Sequence, residues 1–400
     1  MEGKFSKIFK GDKTIWCIFI ALCVISLLEV FSASSTIVYR QQNYWAPILR
    51  HGVFIVIGFF FVLFLQRVKT RYFSGLMLFL PVTWFLLILA MIIGEDVNGA
   101  QRWLGVGSIT IQPSEFAKIA LVGFMAFFLS RLKPDNEKLV FGIMMSGIIV
   151  TCGLIAPENL STAGLLFGVC YLMMFIGQVN LRRLGLIAAV CVGSVFLLVG
   201  TLKVLPEDFV KGYLPDRFST WQNRIDRHSG DDEAAPGTAE FRITDENYQV
   251  SHAKIAIANG NIIGMPGSGV ERDFLPQAYS DFIFAIILEE MGFLGGIFVL
   301  LLYVALMIRA GVLASKCDKL FPRYLILGAA MMITIQALAN MAVAVNLIPV
   351  TGQPLPLISR GGTSTIITCA YFGIILACSN ASNYSEHEDV DEGIANIPYE

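Results

Sequence analysis

The sequence predicts an all-α polytopic membrane protein: ten transmembrane helices, both termini cytoplasmic, and one large exoplasmic loop between helices 7 and 8. Three observations carry that expectation. Of 400 residues, 55% are hydrophobic and only 15% charged, with a mean hydropathy of +0.66, so charges are too few to cover a water-facing surface. The apolar residues gather in runs of membrane-spanning length. The Lys and Arg residues cluster in connections on one side of those runs, and the positive-inside rule makes that side the cytoplasm.

In chain order, Lys4, Lys7, Lys10 and Lys13 interleave with Phe5, Ile8 and Phe9, which suits an anionic inner leaflet. The first run, Thr14 to Ser34, exceeds a signal peptide's apolar region, and more runs follow at once, so it reads as a retained span. The others lie at about 46–66, 74–94, 113–131, 139–156, 162–178, 184–203, 282–308, 324–345 and 363–380. Arg67, Lys69 and Arg71, then Arg131, Lys133 and Lys138, then Arg182 and Arg183, then Arg309, Lys316, Lys319 and Arg323 mark the cytoplasmic connections. The opposite side carries short connections and one long segment, about 204–280, whose length points to function or disorder. The membrane domain thus covers 1–380. The acidic stretch 381–400 is expected to be a solvated, unstructured cytoplasmic tail.

Composition also excludes. A net charge of −2 offers no basic surface, so nucleic acid is not an expected partner. Eight cysteines without a CxxC pair and four histidines without ligand spacing argue against a structural zinc site.

The chemistry-bearing stretch is Leu275 to Gly292, where Asp281, Glu289 and Glu290 stand at the start of an apolar run. A carboxylate near hydrocarbon is costly and therefore a functional hypothesis. Read as one helix, the run puts Asp281 at the outer mouth and the two glutamates about two turns deeper, in packing roles. The alternative for Asp281 is a helix cap. A second stretch, Asn98 to Lys118, holds Arg102, a planar donor for phosphate, and Trp103, suited to the interface. In it Pro113 fits the first turn of a helix, which sets Glu115 and Lys118 three apart on one face, as a catalytic pair or a self-satisfied ion pair. A third stretch places Gln336 and Asn340 on one helical face ahead of a Pro- and Gly-broken loop, Asn346 to Ser364, the kind of backbone that lines a cavity.

These stretches together resemble the SEDS family of cell-wall glycosyltransferases, and its FtsW-like branch is favoured. The resemblance rests on Arg102-Trp103 with Gln112-Pro113-Ser114-Glu115 and Lys118, and on Arg217 to Trp221 and Tyr248-Gln249. It rests further on Leu275-Pro276, Asp281 to Ala285, Glu289 to Gly292, and Asn346 to Ser364. The chain departs from the family pattern at His252 and Ala253 (usually Gln and Ser), at Arg360 (usually Tyr), at Asn159 to Thr162 (usually Asp-Leu-Gly-Thr), and in the altered stretch Gly264 to Gly269.

The resemblance implies polymerisation of lipid II at the outer face of the cytoplasmic membrane, in cell division. Asp281 is then the expected general base, with Lys118 and Glu115 in the catalytic set. Substrate contacts are expected at Arg102, Trp103, Arg217, Gln249, Ser359, Gly361, Gly362 and Ser364. No organic cofactor is expected, and a divalent cation, Mg or Mn, is a candidate charge for the leaving pyrophosphate. The implied partners are a class B penicillin-binding protein and other division or elongation proteins. A lipid II flippase and a non-enzymatic scaffold are the alternative functions.

Overall fold

The computed structural model describes residues 8–33, 46–97, 100–106, 109–204, 243–244, 247–265, 267, 269–275 and 278–395, and most of these are helical. The helices are α1 (Lys13–Ala33), α2 (Ala46–Leu65), α3 (Leu76–Ile93), α4 (Pro113–Leu129), α5 (Glu137–Ile155), α6 (Leu160–Ile176), α7 (Leu181–Val204), α8 (Tyr248–Asn259), α9 (Ile283–Ser315), α10 (Leu320–Ala344) and α11 (Gly362–Ala395). Among the described residues, seven helices are long and apolar enough to cross a membrane, and two shorter apolar ones lie at Leu49–Leu65 and Leu160–Ile176. Lys4 and Lys7 lie outside the described residues. The helical backbone of α11 runs on to Ala395, into the acidic stretch expected to be unstructured, where glutamates favour helix.

Burial grades across the bundle. Helix α10 sits at the centre, against α4, α6, α9 and α11. Its run of small residues allows the close approach: a side chain at Gly328 would press on Val122 and Met173. Helix α7 lies at the other extreme, with Leu186, Val190, Val195, Phe196 and Leu197 all exposed, the surface that hydrocarbon would cover.

One end of the bundle is clasped by Asp12. Its Oδ1 accepts the Ile15 N–H (3.1 Å), which caps α1, and its carboxylate pairs with Arg309 of α9 through Nε (3.1 Å) and Nη2 (2.5 Å). The Asp12 N–H donates to Ser379 Oγ of α11 (3.1 Å). Burial would raise the Asp12 carboxyl, but the Arg309 hydrogen bonds and charge, with the backbone N–H groups, hold it below its ordinary value.

The long connection before α9 contains a helix, α8. Helix α8 packs along α9, while residues 205–242, Arg217 included, lie outside the described residues. The reading of α9 as one helix needs correction. Gly292 has φ 74° and ψ −178°, a region essentially reserved for glycine, and the chain folds back there. A Cβ on Gly296 would lie 2.3 Å from Leu288 and 3.5 Å from Phe284, residues that a straight helix would hold about 12 and 18 Å away. The N–H groups freed at the break donate to the loop after α8, Phe293 to Asn261 O (2.9 Å) and Leu294 to Ile262 O (3.1 Å).

The reversal inverts the expected depths. Glu290 bonds Ser32, at the last turn of α1, whereas the loop beside Asp281 bonds Ser26 through Ile358 O (3.0 Å), about 9 Å further down α1. The glutamates therefore lie nearer the end of the bundle, and Asp281 lies deeper. Their expected packing role has a concrete form. Glu289 Oε1 accepts the N–H groups of Val270 (2.9 Å) and Glu271 (3.1 Å). Glu290 accepts the Gly267 N–H (2.9 Å) and pairs with Arg272 (3.1 Å).

Between α3 and α4 stands a small antiparallel sheet of order β1-β2-β3: β1 (Glu95–Val97), β2 (Ala100–Val106) and β3 (Ile109–Ile111). Trp103 pairs with Glu95 and Leu104 with Ile111. This sheet, rather than a plain connection, carries Arg102 and Trp103.

Candidate active site

The site grows from one face of α10. Gln336 and Asn340, one helical turn apart, both reach the broken loop that follows. Asn340 Nδ2 donates to Gln353 O (2.8 Å) and to the backbone carbonyl of Asp281 (2.8 Å), and so joins the loop to the start of α9. Gln336 Nε2 donates to Pro354 O (3.0 Å). The loop leaves regular helix at Asn346, Gly352 and Leu357, all with positive φ. Its polar backbone is satisfied by neighbours, as a non-helical segment within a bundle requires. Ser359 Oγ donates to Ser280 O (2.6 Å) and accepts the Leu355 N–H (2.7 Å), and the Arg360 N–H donates to Tyr279 O (2.9 Å). Tyr303 OH donates to Pro356 O (2.5 Å), and Gln353 Nε2 to Thr162 Oγ1 (2.5 Å).

Asp281 is therefore held by its backbone on both sides. Its carboxylate is half-buried and accepts the Ser280 hydroxyl (3.0 Å). A Cβ on Gly352 would lie 3.7 Å from Asp281 Oδ2, so the loop backbone runs beside the carboxylate, and the φ of 67° there is what favours glycine. The N-cap position of α9 belongs to Phe282.

Glu115 and Lys118 meet as their spacing predicts, Pro113 at the start of α4 setting both on its inner face. Lys118 Nζ lies 2.7 Å from Glu115 Oε1 and donates to Gln336 Oε1 (3.0 Å). Lys118 is buried, at 1% exposure. The pair steadies Gln336, Gln336 holds Pro354, and the loop holds Asp281. Lys118 and Glu115 are thereby linked to the Asp281 loop through Gln336.

Beside the Asp281 loop opens a cavity lined by Arg50, His51, Phe54, Trp103, Thr110, Tyr279, Arg360, Gly361 and Gly362. It brings together Trp103, Gly361 and Gly362 from the expected substrate set, with Ser359 behind its wall. Ser364 follows in the first turn of α11. Arg102 stands beside Trp103 on β2. Gln249 sits on α8, half-buried and away from the cavity lining. Sequence reasoning missed Arg50, His51, Tyr279 and Arg360. The available signal was the Arg50-His51 pair, charged and polar within an apolar run. Among the described residues no three His, Cys, Asp or Glu side chains gather as a metal site.

A helical bundle with a broken, cross-braced loop, a half-buried carboxylate and an adjoining cationic cavity defines a polytopic membrane protein with an internal polar site. Residues 12–384 match the model of the FtsW, RodA and SpoVE family, described as cell cycle proteins, and the chain belongs to that family. It is 28% identical over 389 residues to the Probable peptidoglycan glycosyltransferase FtsW of Coxiella burnetii, covering 94% of this chain and 98% of that protein. Stage V sporulation protein E of Bacillus subtilis is 30% identical over 385 residues, covering 93% and 98%. Among solved structures, a chain of a peptidoglycan synthase complex that coordinates polymerization and crosslinking superposes with a TM-score of 0.73 at 25% identity, covering 93% of this chain and 98% of that one. The rod shape determining protein RodA of Thermus thermophilus shares the fold, with a TM-score of 0.64 at 23% identity over 93% and 97%.

Proposed function

We propose that this chain is a peptidoglycan glycosyltransferase that polymerises lipid II in cell division, with Asp281 as general base. The observation that carries the reading is the placement of the Asp281 carboxylate, braced through Asn340 and Ser359, next to a cavity rich in positive charge. The C4 hydroxyl of one disaccharide attacks the anomeric carbon of another that is linked to a polyprenyl diphosphate. The hydroxyl proton passes to Asp281 as the new C–O bond forms. The bond from the anomeric carbon to phosphate breaks, and the diphosphate leaves with its electron pair. Fixed positive charge favours that departure.

Family membership, the FtsW-named relative and the match to a synthase complex support this activity. The nine apolar helices among the described residues, taken with α4, support the reading of ten spans. The Lys and Arg distribution supports cytoplasmic termini and a site that opens to the outer face of the cytoplasmic membrane. A class B penicillin-binding protein is the proposed partner, since the matching complex couples polymerization to crosslinking.

The test is purified protein with that partner, given labelled lipid II. Glycan strands on a gel support the reading. Transfer of labelled lipid II across vesicles by this protein alone, without polymer, replaces it with a flippase. A partner complex that assembles but makes no polymer replaces it with a scaffold.

A further inference from the structure

Arg50 of α2 and Arg360 of the broken loop both line the cavity beside Asp281, and no acidic side chain lines it with them. Neither has a carboxylate within ion-pair distance among the described residues. Arg360 instead lies over the Tyr279 ring, 5.2 Å from its centroid. Burial pushes the Arg360 guanidinium below its ordinary value; Tyr279 opposes the shift and the Arg50 charge adds to it. Two cations face one space with no anion between them, an arrangement that raises the free energy of the empty cavity and is relieved by an anionic ligand.

The other lining groups are donors as well. Trp103 Nε1–H is buried without an acceptor among the described residues. The first turn of α11 begins at Gly362 and brings the unpaired N–H groups of a helix start. His51 Nε2 is engaged by Ser26 Oγ (2.8 Å), which fixes the ring against α1. Asp281, on the neighbouring turn, lies outside the lining set.

From these donors we infer that Arg50 and Arg360 form a subsite for the diphosphate of a polyprenyl-diphosphate-linked sugar. The subsite rests on the glycosyltransferase reading and deepens it. Guanidinium forks match phosphate oxygens two at a time, and two of them converging suit a diphosphate better than a single phosphate. A diphosphate there stands next to Asp281, so the bond that must break lies beside the group that takes the proton.

The experiment uses the full chain with its partner in nanodiscs and farnesyl diphosphate as the soluble probe. The Arg360 backbone N–H bond to Tyr279 O survives substitution, so Arg360→Tyr retains that brace. Arg360→Tyr and Arg50→Gln are each expected to weaken farnesyl diphosphate binding by about tenfold, and to raise the KM for lipid II similarly with little change in kcat. Arg360→Lys, which keeps charge but loses the fork, is expected to fall between. Unchanged binding in both the Arg360→Tyr and Arg50→Gln proteins, with melting temperature retained, overturns the subsite while polymer synthesis by the unmodified protein stands. Absence of polymer from the unmodified protein overturns the glycosyltransferase reading, and the binding measurements then decide the subsite alone. Equal competition by phosphatidylglycerol in the nanodisc assigns the cations to a phospholipid headgroup and overturns the diphosphate.

Discussion

Replacing Lys118 with Met tests the bracing of the site most sharply. The substitution keeps the length of the side chain and removes its charge. Glu115, 5% exposed, is left without the ammonium that stands 2.7 Å away, and Gln336 Oε1 loses its donor. Removing one partner of a buried ion pair costs about 3–5 kcal/mol, a factor of roughly 10² to 10⁴ in the folded population. The companion change Glu115→Gln removes the stranded charge, so the double variant Glu115→Gln with Lys118→Met should regain most of the stability. Its activity should stay low, because Gln336 still lacks its donor and the loop is held less firmly; the loss should appear in kcat with KM little changed. The assay is thermal unfolding in nanodiscs beside lipid II polymerisation, set out as a double-mutant cycle. A double variant as unstable as Lys118→Met refutes the buried-pair argument. A KM that rises with kcat unchanged refutes the positioning role and makes Lys118 a direct substrate contact.

Three further outcomes follow from the structure. Gly292→Ala puts a Cβ 2.5 Å from Gly264 N and 2.6 Å from Asn261 O at a positive φ, so it should destabilise by at least about 1–3 kcal/mol, read as a lower melting temperature. Asn340→Leu loses both loop bonds and should cut kcat by about tenfold or more with the fold retained by circular dichroism. Asp12 titrates below its ordinary 3.8, so its pairing stabilises the fold above that pH and is lost as pH falls through the lowered value. The melting difference between the natural protein and Asp12→Asn should hold steady from about pH 5 to about pH 8 and shrink only in stronger acid.

Much of this was legible in the chain. The spans announce themselves because hydrocarbon demands long apolar runs, and the positions of α1 through α7 follow them closely. Pro113 and the spacing of Glu115 and Lys118 gave the start of α4 and its ion pair, since helix geometry alone fixes which side chains meet. The loop after α10 was readable as broken backbone from its Pro and Gly residues. The reversal at Gly292 was not, because one glycine in an apolar run looks the same whether the helix continues or folds back. Only the neighbours Asn261, Ile262 and Gly264 decide between the two, and those contacts belong to tertiary structure. The sheet that carries Trp103 left a trace in Asn98-Gly99, a strong hairpin dipeptide, in strands too short to show clear alternation. The cationic cavity joins Arg50 and Arg360 across 310 positions of sequence, a distance over which no local pattern reports.

The most direct test of the central claim is the rate of lipid II polymerisation by Asp281→Asn with its partner protein. The amide keeps the shape and the backbone bond to Asn340 and removes the base. The account predicts a fall in kcat of about 10² to 10⁴, with farnesyl diphosphate binding and melting temperature close to those of the natural protein. A kcat within a few-fold of the natural protein's would contradict it.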